Sequence, residues 1–332
     1  MTNSKSRVVS GMRPTGQLHL GHFVGALKNW ADLQEPYDCF YFVADWHALT
    51  SDYANTAQIT SNALDNVADW IAAGVDPERS TIFAQSLVPE HAELFLLLSM
   101  VVPIPWLERV PTYKEQREQI TDKDLSNLGF LAYPLLQTAD VTMYDAKFVP
   151  VGEDQVPHLE LSREIVRRFN QFYGELLAEP QPLLTPVSRL PGLDNRKMSK
   201  SYGNTIDLTD DADAVTRKVR QMYTDPKRIR ADIPGTVEGN PVFMYHDAFN
   251  PDTAEVEDLK ARYRLGKVGD VEVKTKLAKA MNATLEPMRA RRAQLTARPG
   301  YVREIVVEGS KKARALAHDT MERVRDAVRL RY

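Results

Sequence analysis

A chain of 332 residues with 43% hydrophobic and 26% charged side chains has an ordinary globular make-up and can bury a sizeable core. Its formal net charge of −3 excludes a uniformly basic nucleic-acid coat but leaves room for a local basic patch. Cys39 is the only cysteine, which rules out an intrachain disulfide or a cysteine-rich zinc site. No stretch of about 18 apolar residues predicts a membrane span, the N-terminus lacks the apolar run of a signal peptide, and a cytoplasmic protein is expected.

The opening stretch, Ser10 to His22, is the most informative. Arg7-Val8-Val9 reads as the end of a buried strand, and Phe23, Val24, Ala26, Leu27, Trp30 and Leu33 recur at helical spacing. Between them lie Gly11, Gly16 and the run His19-Leu20-Gly21-His22. A strand–glycine–helix junction lets backbone approach a polyphosphate, and the helix start offers unpaired N–H groups. The two histidines add side-chain donors where charge builds up on a phosphate in flight.

Asp38 to Asp45 is a continuous apolar run bounded by charge and predicts a strand buried on both faces. A helix through Ile59, Leu64, Val67 and Ile71 ends at Gly74, Ser80–Gln85 is a strand, and Glu90–Met100 a helix. Strands alternating with amphipathic helices predict a doubly wound parallel α/β sheet, whose ligands sit at the C-terminal strand ends. From Pro103 to Gly129 this rhythm lapses into a charged stretch with Lys114, Arg117 and Lys123, read as an insertion. Tyr133, Gln137 and Asp140 then share one face of a helix whose neighbours are apolar. Phe148–Val151 is a short strand running into Gly152-Glu153-Asp154-Gln155, where side chains can bind a ribose hydroxyl, bind an amine or cap a helix.

The loop Asp194–Asn204 holds Lys197-Met198-Ser199-Lys200-Ser201, whose ammonium and hydroxyl groups suit a pyrophosphate. Beyond it the chain reads as helices over 210–223, 253–264, 269–297 and 302–330, with a Pro/Gly loop over 225–250. From Met288 to Tyr332 there are 12 Lys/Arg against 5 Asp/Glu, which fits either a nucleic-acid face or solvated helix surfaces.

His19-Leu20-Gly21-His22 and Lys197-Met198-Ser199-Lys200-Ser201 resemble the two signatures of class I aminoacyl-tRNA synthetases. Val43 to Ala48, Tyr133 to Asp140, Gly152 to Asn170, Thr224-Asp225-Pro226 and Leu285 to Arg289 extend the resemblance to the tryptophan branch of that class over nearly the whole chain. The resemblance implies a Rossmann-like catalytic domain over 1–205, with an insertion at about 103–145 forming a dimer interface and a signature loop over 196–204 that closes on ATP. It implies a mostly α-helical domain over 206–332 that reads the tRNA anticodon.

It further implies two-step chemistry, in which tryptophan and Mg–ATP form an adenylate and the tryptophan then passes to tRNA(Trp). His19, His22, Lys197 and Lys200 would stabilise the transferring phosphate, with no metal ligand drawn from the protein. ATP would be held by Arg13, Pro14, Thr15, Gly21, His22, Gly152, Glu153, Asp154 and Val187, and by Lys197, Met198, Ser199, Lys200 and Ser201. Asp140 would accept the indole N–H, Tyr133 and Gln155 would hold the α-amino group, and Gln137 and His47 would lie in the same pocket. The tyrosine branch shares Tyr133, Gln137 and Asp140, but has a tyrosine where this chain has Val9. An apolar wall with one acceptor suits indole, whose only polar group is a donor. A paralogue that binds nucleotide or amino acid without charging tRNA, or a nucleotidyltransferase that never meets RNA, are the readings from other classes.

Overall fold

The computed structural model describes residues 5–110, 125–184 and 190–332. Five strands form one parallel sheet: β1 Arg7–Met12, β2 Asp38–Val43, β3 Ser80–Ala84, β4 Phe148–Val151 and β5 Gln181–Leu184. Their order across the sheet is β3-β2-β1-β4-β5, and every pairing is parallel. The strand order reverses between β1 and β4, so a crevice opens at their C-terminal ends.

The two-residue period of β2 explains its uninterrupted hydrophobicity. Cys39, Tyr41 and Val43 face one core with Leu27, Trp30 and Trp70, while Phe40 and Phe42 face the other with Leu94, Ala139 and Phe169. The first face is covered by the helical stretch 20–33 and the helix Ile59–Ala72, and the helices of residues 212–288 join the same core from outside this layer. The second is covered by Glu90–Ser99, Tyr133–Thr142, Val156–Tyr173 and the last helix, Tyr301–Ala327. The doubly wound parallel sheet is therefore as expected, and the chain past residue 206 is helical.

Among the elements absent from the sequence reading, three have a plain physical account or bear on the site. β5 escapes it because Pro182 breaks the strand pattern, and proline is tolerated here because β5 is an edge strand. A helix Pro241–Phe249 occupies part of the expected loop, started by Asn240, whose side chain accepts from Val242 N, with Pro241 in the first turn. A helix Asp45–Asp52 follows β2 directly and carries His47.

The basic excess of the C-terminal stretch is largely used within the chain. Arg292 pairs with Asp69 at 2.6 Å, Arg314 with Glu90 at 3.0 Å, and Arg323 with Asp145 at 2.7 Å. Arg325 clamps Glu93. These pairs tie the last two helices to the sheet-bearing part, which accounts for a charge asymmetry the sequence leaves open. No helix among the described residues is long and apolar enough to cross a membrane.

Candidate active site

The first signature sits where β1 ends and the chain turns into a helix. Its two histidines cap that helix reciprocally. His19 Nδ1 accepts from Gly21 N at 3.1 Å, and His22 Nδ1 accepts from His19 N at 3.1 Å. A nitrogen that accepts carries no proton, so each neutral ring bears its proton on Nε2 and offers it as a donor. Burial, with Lys200 adding to it, holds the His19 pKa down at about 4. Burial, then His19 and Lys200, hold His22 at about 3. Both rings are therefore uncharged donors at neutral pH, with their centroids 3.9 Å apart and their planes tilted 40° to one another.

The chain following the second signature fixes this turn from outside. Leu20 N donates to Ile206 O at 2.9 Å and Leu208 N to Leu18 O at 2.8 Å. The signature loop itself is held from within by Asn204, which is 3% exposed. Its Oδ1 accepts from Ser199 N at 2.9 Å, and its Nδ2 donates to Asp194 Oδ1 at 2.8 Å and to Lys197 O at 3.1 Å. Lys200 Nζ donates to Thr15 O at 2.9 Å, and the Met198 sulfur lies against Gly21. The loop is thus seated on the first turn, with the Lys197 and Lys200 side chains at an exposed surface.

Beside this turn, a cavity of about 420 Å³ opens in the crevice between β1 and β4. Its lining includes Gly11, Arg13, His47, Tyr133, Gln137, Asp140, Gly152 and Gln155. The face shared by Tyr133, Gln137 and Asp140 is therefore turned into one pocket. A side chain at Gly11 would place Cβ 2.3 Å from the Phe42 ring, so glycine lets that ring stand in the cavity wall. Arg13 is held by the Ser51 hydroxyl and lies 3.7 Å from Asp52, both on the helix that carries His47. Burial lowers the Arg13 pKa, and Asp52 opposes that shift.

Asp140 is 1% exposed and accepts from three side chains. Oδ2 takes His47 Nε2 at 2.8 Å, and Oδ1 takes His91 Nδ1 at 2.7 Å and Gln85 Nε2 at 2.7 Å. Burial alone would push its pKa up, but the bonds from His47 and His91 outweigh burial and hold the carboxyl at about 2. The pocket therefore keeps an ionised acceptor in its wall. Asp45 opens the helix that carries His47, and its carboxylate accepts from Trp46 N and Ser86 N, both at 3.0 Å.

Pro14 is buried in the first turn, while Glu153 and Gln155 lie on a single helical turn after β4 with exposed side chains. Val187, Lys114, Arg117 and Lys123 lie outside the described residues, as do the side chains of Asp154 and Ser201. Sequence reasoning gave no role to Gln85, His91, Tyr144 or Asn204. Only Asn204 carried a local signal, closing a polar loop directly after the signature.

Residues 1–286 match the family of tRNA synthetases class I (W and Y). The chain is 49% identical over 327 residues to the tryptophan–tRNA ligase of Treponema pallidum, covering 98% of this chain and 97% of that protein. It is 49% identical to the same enzyme of Thermotoga maritima, covering 98% and 100%. Among solved structures it resembles the tryptophanyl-tRNA synthetase of Campylobacter jejuni complexed with ADP and tryptophan. That likeness has a TM-score of 0.87 and 32% identity, over 97% of this chain and 99% of that one. The chain belongs to the class I tRNA synthetases of the tryptophan and tyrosine type, and within them to the tryptophan–tRNA ligases.

Proposed function

We propose that this enzyme activates L-tryptophan with ATP and transfers it to tRNA(Trp). In the first step the tryptophan carboxylate attacks the α-phosphate, forming tryptophanyl-adenylate and releasing pyrophosphate. In the second the terminal ribose hydroxyl of the tRNA attacks the adenylate carbonyl, and AMP leaves. Neither step needs a protein nucleophile, so catalysis is positioning and charge stabilisation. The neutral Nε2–H groups of His19 and His22 and the ammonium groups of Lys197 and Lys200 meet the phosphates, whose magnesium arrives as part of the ATP complex. Arg13, Pro14, Thr15, Gly21, Gly152, Glu153, Asp154, Val187 and the loop from Met198 to Ser201 hold the rest of the nucleotide. Tyr133 and Gln155 hold the amino group, with Gln137 and His47 beside them.

The observation that carries the substrate assignment is the ionised Asp140 in the wall of a cavity whose lining also includes Phe42, Phe130, Val141 and Val149. It accepts and cannot donate, which suits indole. Val9, fully buried in the core behind that wall, offers no hydroxyl to a phenol. We assign catalysis to residues 1–205 and anticodon contact to residues 206–332, and place a dimer interface on residues 103–145 and the enzyme in the cytoplasm. Amino-acid-dependent ATP–pyrophosphate exchange with all twenty amino acids tests the reading. Exchange with tryptophan alone is expected. Exchange with tyrosine would reverse the substrate, and none with any amino acid would leave a ligand-binding paralogue.

A further inference from the structure

We propose that His91, fixed by Tyr144, is a positioning residue that reserves one oxygen of Asp140 for the protein and leaves the other for the ring N–H of the amino-acid substrate. The inference rests on the functional reading above and adds the residues that set its selectivity.

His91 is fully buried and is not part of the cavity lining. Its Nδ1 lies 2.7 Å from Asp140 Oδ1 and its Nε2 lies 2.6 Å from the Tyr144 hydroxyl. A carboxylate held ionised cannot donate, so the proton of that first bond belongs to Nδ1. In the Nδ1–H tautomer the lone pair on Nε2 accepts from the Tyr144 hydroxyl. Tyr144, 1% exposed, keeps its proton because burial raises its pKa well above the usual value, with Asp140 adding to the shift. In that tautomer the order is Tyr144 O–H to His91, and His91 N–H to Asp140.

Gln85 occupies the second lone pair of the same oxygen. Its orientation is fixed from behind, because Gln85 Oε1 accepts from Trp46 N at 3.2 Å, which leaves Nε2 to face Asp140 at 2.7 Å. Oδ1 is therefore saturated by two buried donors. Oδ2 has one described protein partner, His47 at 2.8 Å, and both His47 and Asp140 line the cavity. An oxygen with one donor and one remaining acceptor position, in the wall of the cavity, fits a ligand that brings an N–H to it. Without His91, the carboxylate would be free to rotate, and its two oxygens would share His47 and Gln85 in more than one way.

The experiment compares kcat/KM for pyrophosphate exchange with tryptophan against benzothienylalanine, in which sulfur replaces the indole N–H. It is run on the full-length enzyme and on His91→Leu, His91→Asn and Tyr144→Phe, with folding checked by thermal melting. His91→Leu is expected to lower the tryptophan-to-analogue ratio about tenfold, raising KM for tryptophan and leaving KM for ATP unchanged. His91→Asn, whose amide N–H reaches toward Oδ1, should recover most of the ratio. Tyr144→Phe, which keeps the packing, should lower it about threefold and carries the test should His91→Leu fail to fold. Folded variants with the wild-type ratio, or losses shared equally by tryptophan and the analogue, would overturn the proposal. Absence of tryptophan-dependent exchange in the wild-type enzyme is a distinct failure, which removes the functional reading and this inference with it.

Discussion

Lys200 Nζ donates to the carbonyl oxygen of Thr15 at 2.9 Å, joining residues 185 positions apart in the sequence. The contact brings the ammonium group beside the two capped histidines, and its charge is one reason both rings stay neutral. A positive charge and two neutral donors are thus gathered at one turn, beside the crevice that holds Asp140.

Replacing Lys200 by alanine should therefore lower kcat for pyrophosphate exchange by about 10²-fold, the usual scale for losing one donor to developing charge. KM for tryptophan should change little, because the cavity around Asp140 does not include Lys200. Steady-state exchange at varied tryptophan and ATP measures both quantities. An unchanged kcat would take Lys200 out of the chemistry.

Asp140→Asn replaces an acceptor that serves three donors with an amide that must turn its own N–H toward one of them. One of His47, His91 or Gln85 then faces a donor, and the indole N–H loses its ionised partner. Tryptophan activation should fall by about 10²-fold or more, in line with about 3 kcal/mol for a buried charged hydrogen bond. ATP affinity, read by equilibrium binding, should stay near wild type. Adenylate formation at the wild-type rate would refute the role given to Asp140.

Both halves of the site were legible where the signal is local. His19 and His22 belong to one turn, and Tyr133, Gln137 and Asp140 share one helical face, so spacing alone places them. β2 was legible because burial on both faces leaves an unbroken apolar run. The partners of Asp140 were not. Gln85 and His91 come from the segment after β3, 55 and 49 residues away, and meet Asp140 only through the packing of two helices on one sheet face. The helix at Pro241 was hidden because proline marks a loop as readily as a first helical turn, and only the bond that Asn240 accepts from Val242 N distinguishes them.

Asn204→Ala tests whether the second signature must be held in shape. The substitution removes three hydrogen bonds, leaving the N–H of Ser199 and the carbonyl of Lys197 without their partner. It should destabilise the protein by about 1–2 kcal/mol and lower kcat roughly tenfold by loosening the lysines. Chemical denaturation and exchange kinetics report the two effects separately. A stability loss with kcat intact would make Asn204 purely structural.

The histidine pair gives a pH dependence of defined sign. With native pKa values of about 4 and about 3 against an ordinary value near 6.5, the unfolded chain takes up protons that the native turn refuses. Stability therefore falls as pH drops from about 6.5 toward the native values, and is regained on returning to neutrality. Asp140 acts in the same direction at lower pH, since protonating it below its unfolded value of about 3.9 removes the acceptor of its buried bonds. The loss in denaturation midpoint between about pH 7 and about pH 5 should shrink in His22→Asn. An equal loss in that variant would show that His22 titrates normally.

Gly309 is where the last helix presses on the sheet. A Cβ there would lie 1.8 Å from the Ile82 carbonyl oxygen, in the middle of β3, and the next residue, Ser310, accepts from Ala84 N at 3.2 Å. The helix therefore covers the β3 edge at backbone distance, a contact only glycine allows, while the Arg314–Glu90 and Arg325–Glu93 pairs hold it in register. Gly309→Ala adds one methyl group to a helix, which in isolation would favour it by up to about 1 kcal/mol. Here the clash with backbone dominates, and a net loss of about 2–4 kcal/mol is expected as the helix is pushed from the sheet. Lys312→Ala, on an exposed position of the same helix, should stay within about 0.5 kcal/mol of wild type. Urea denaturation of the two variants decides between these effects. If Gly309→Ala is stabilising, the helix does not approach β3 this closely in solution.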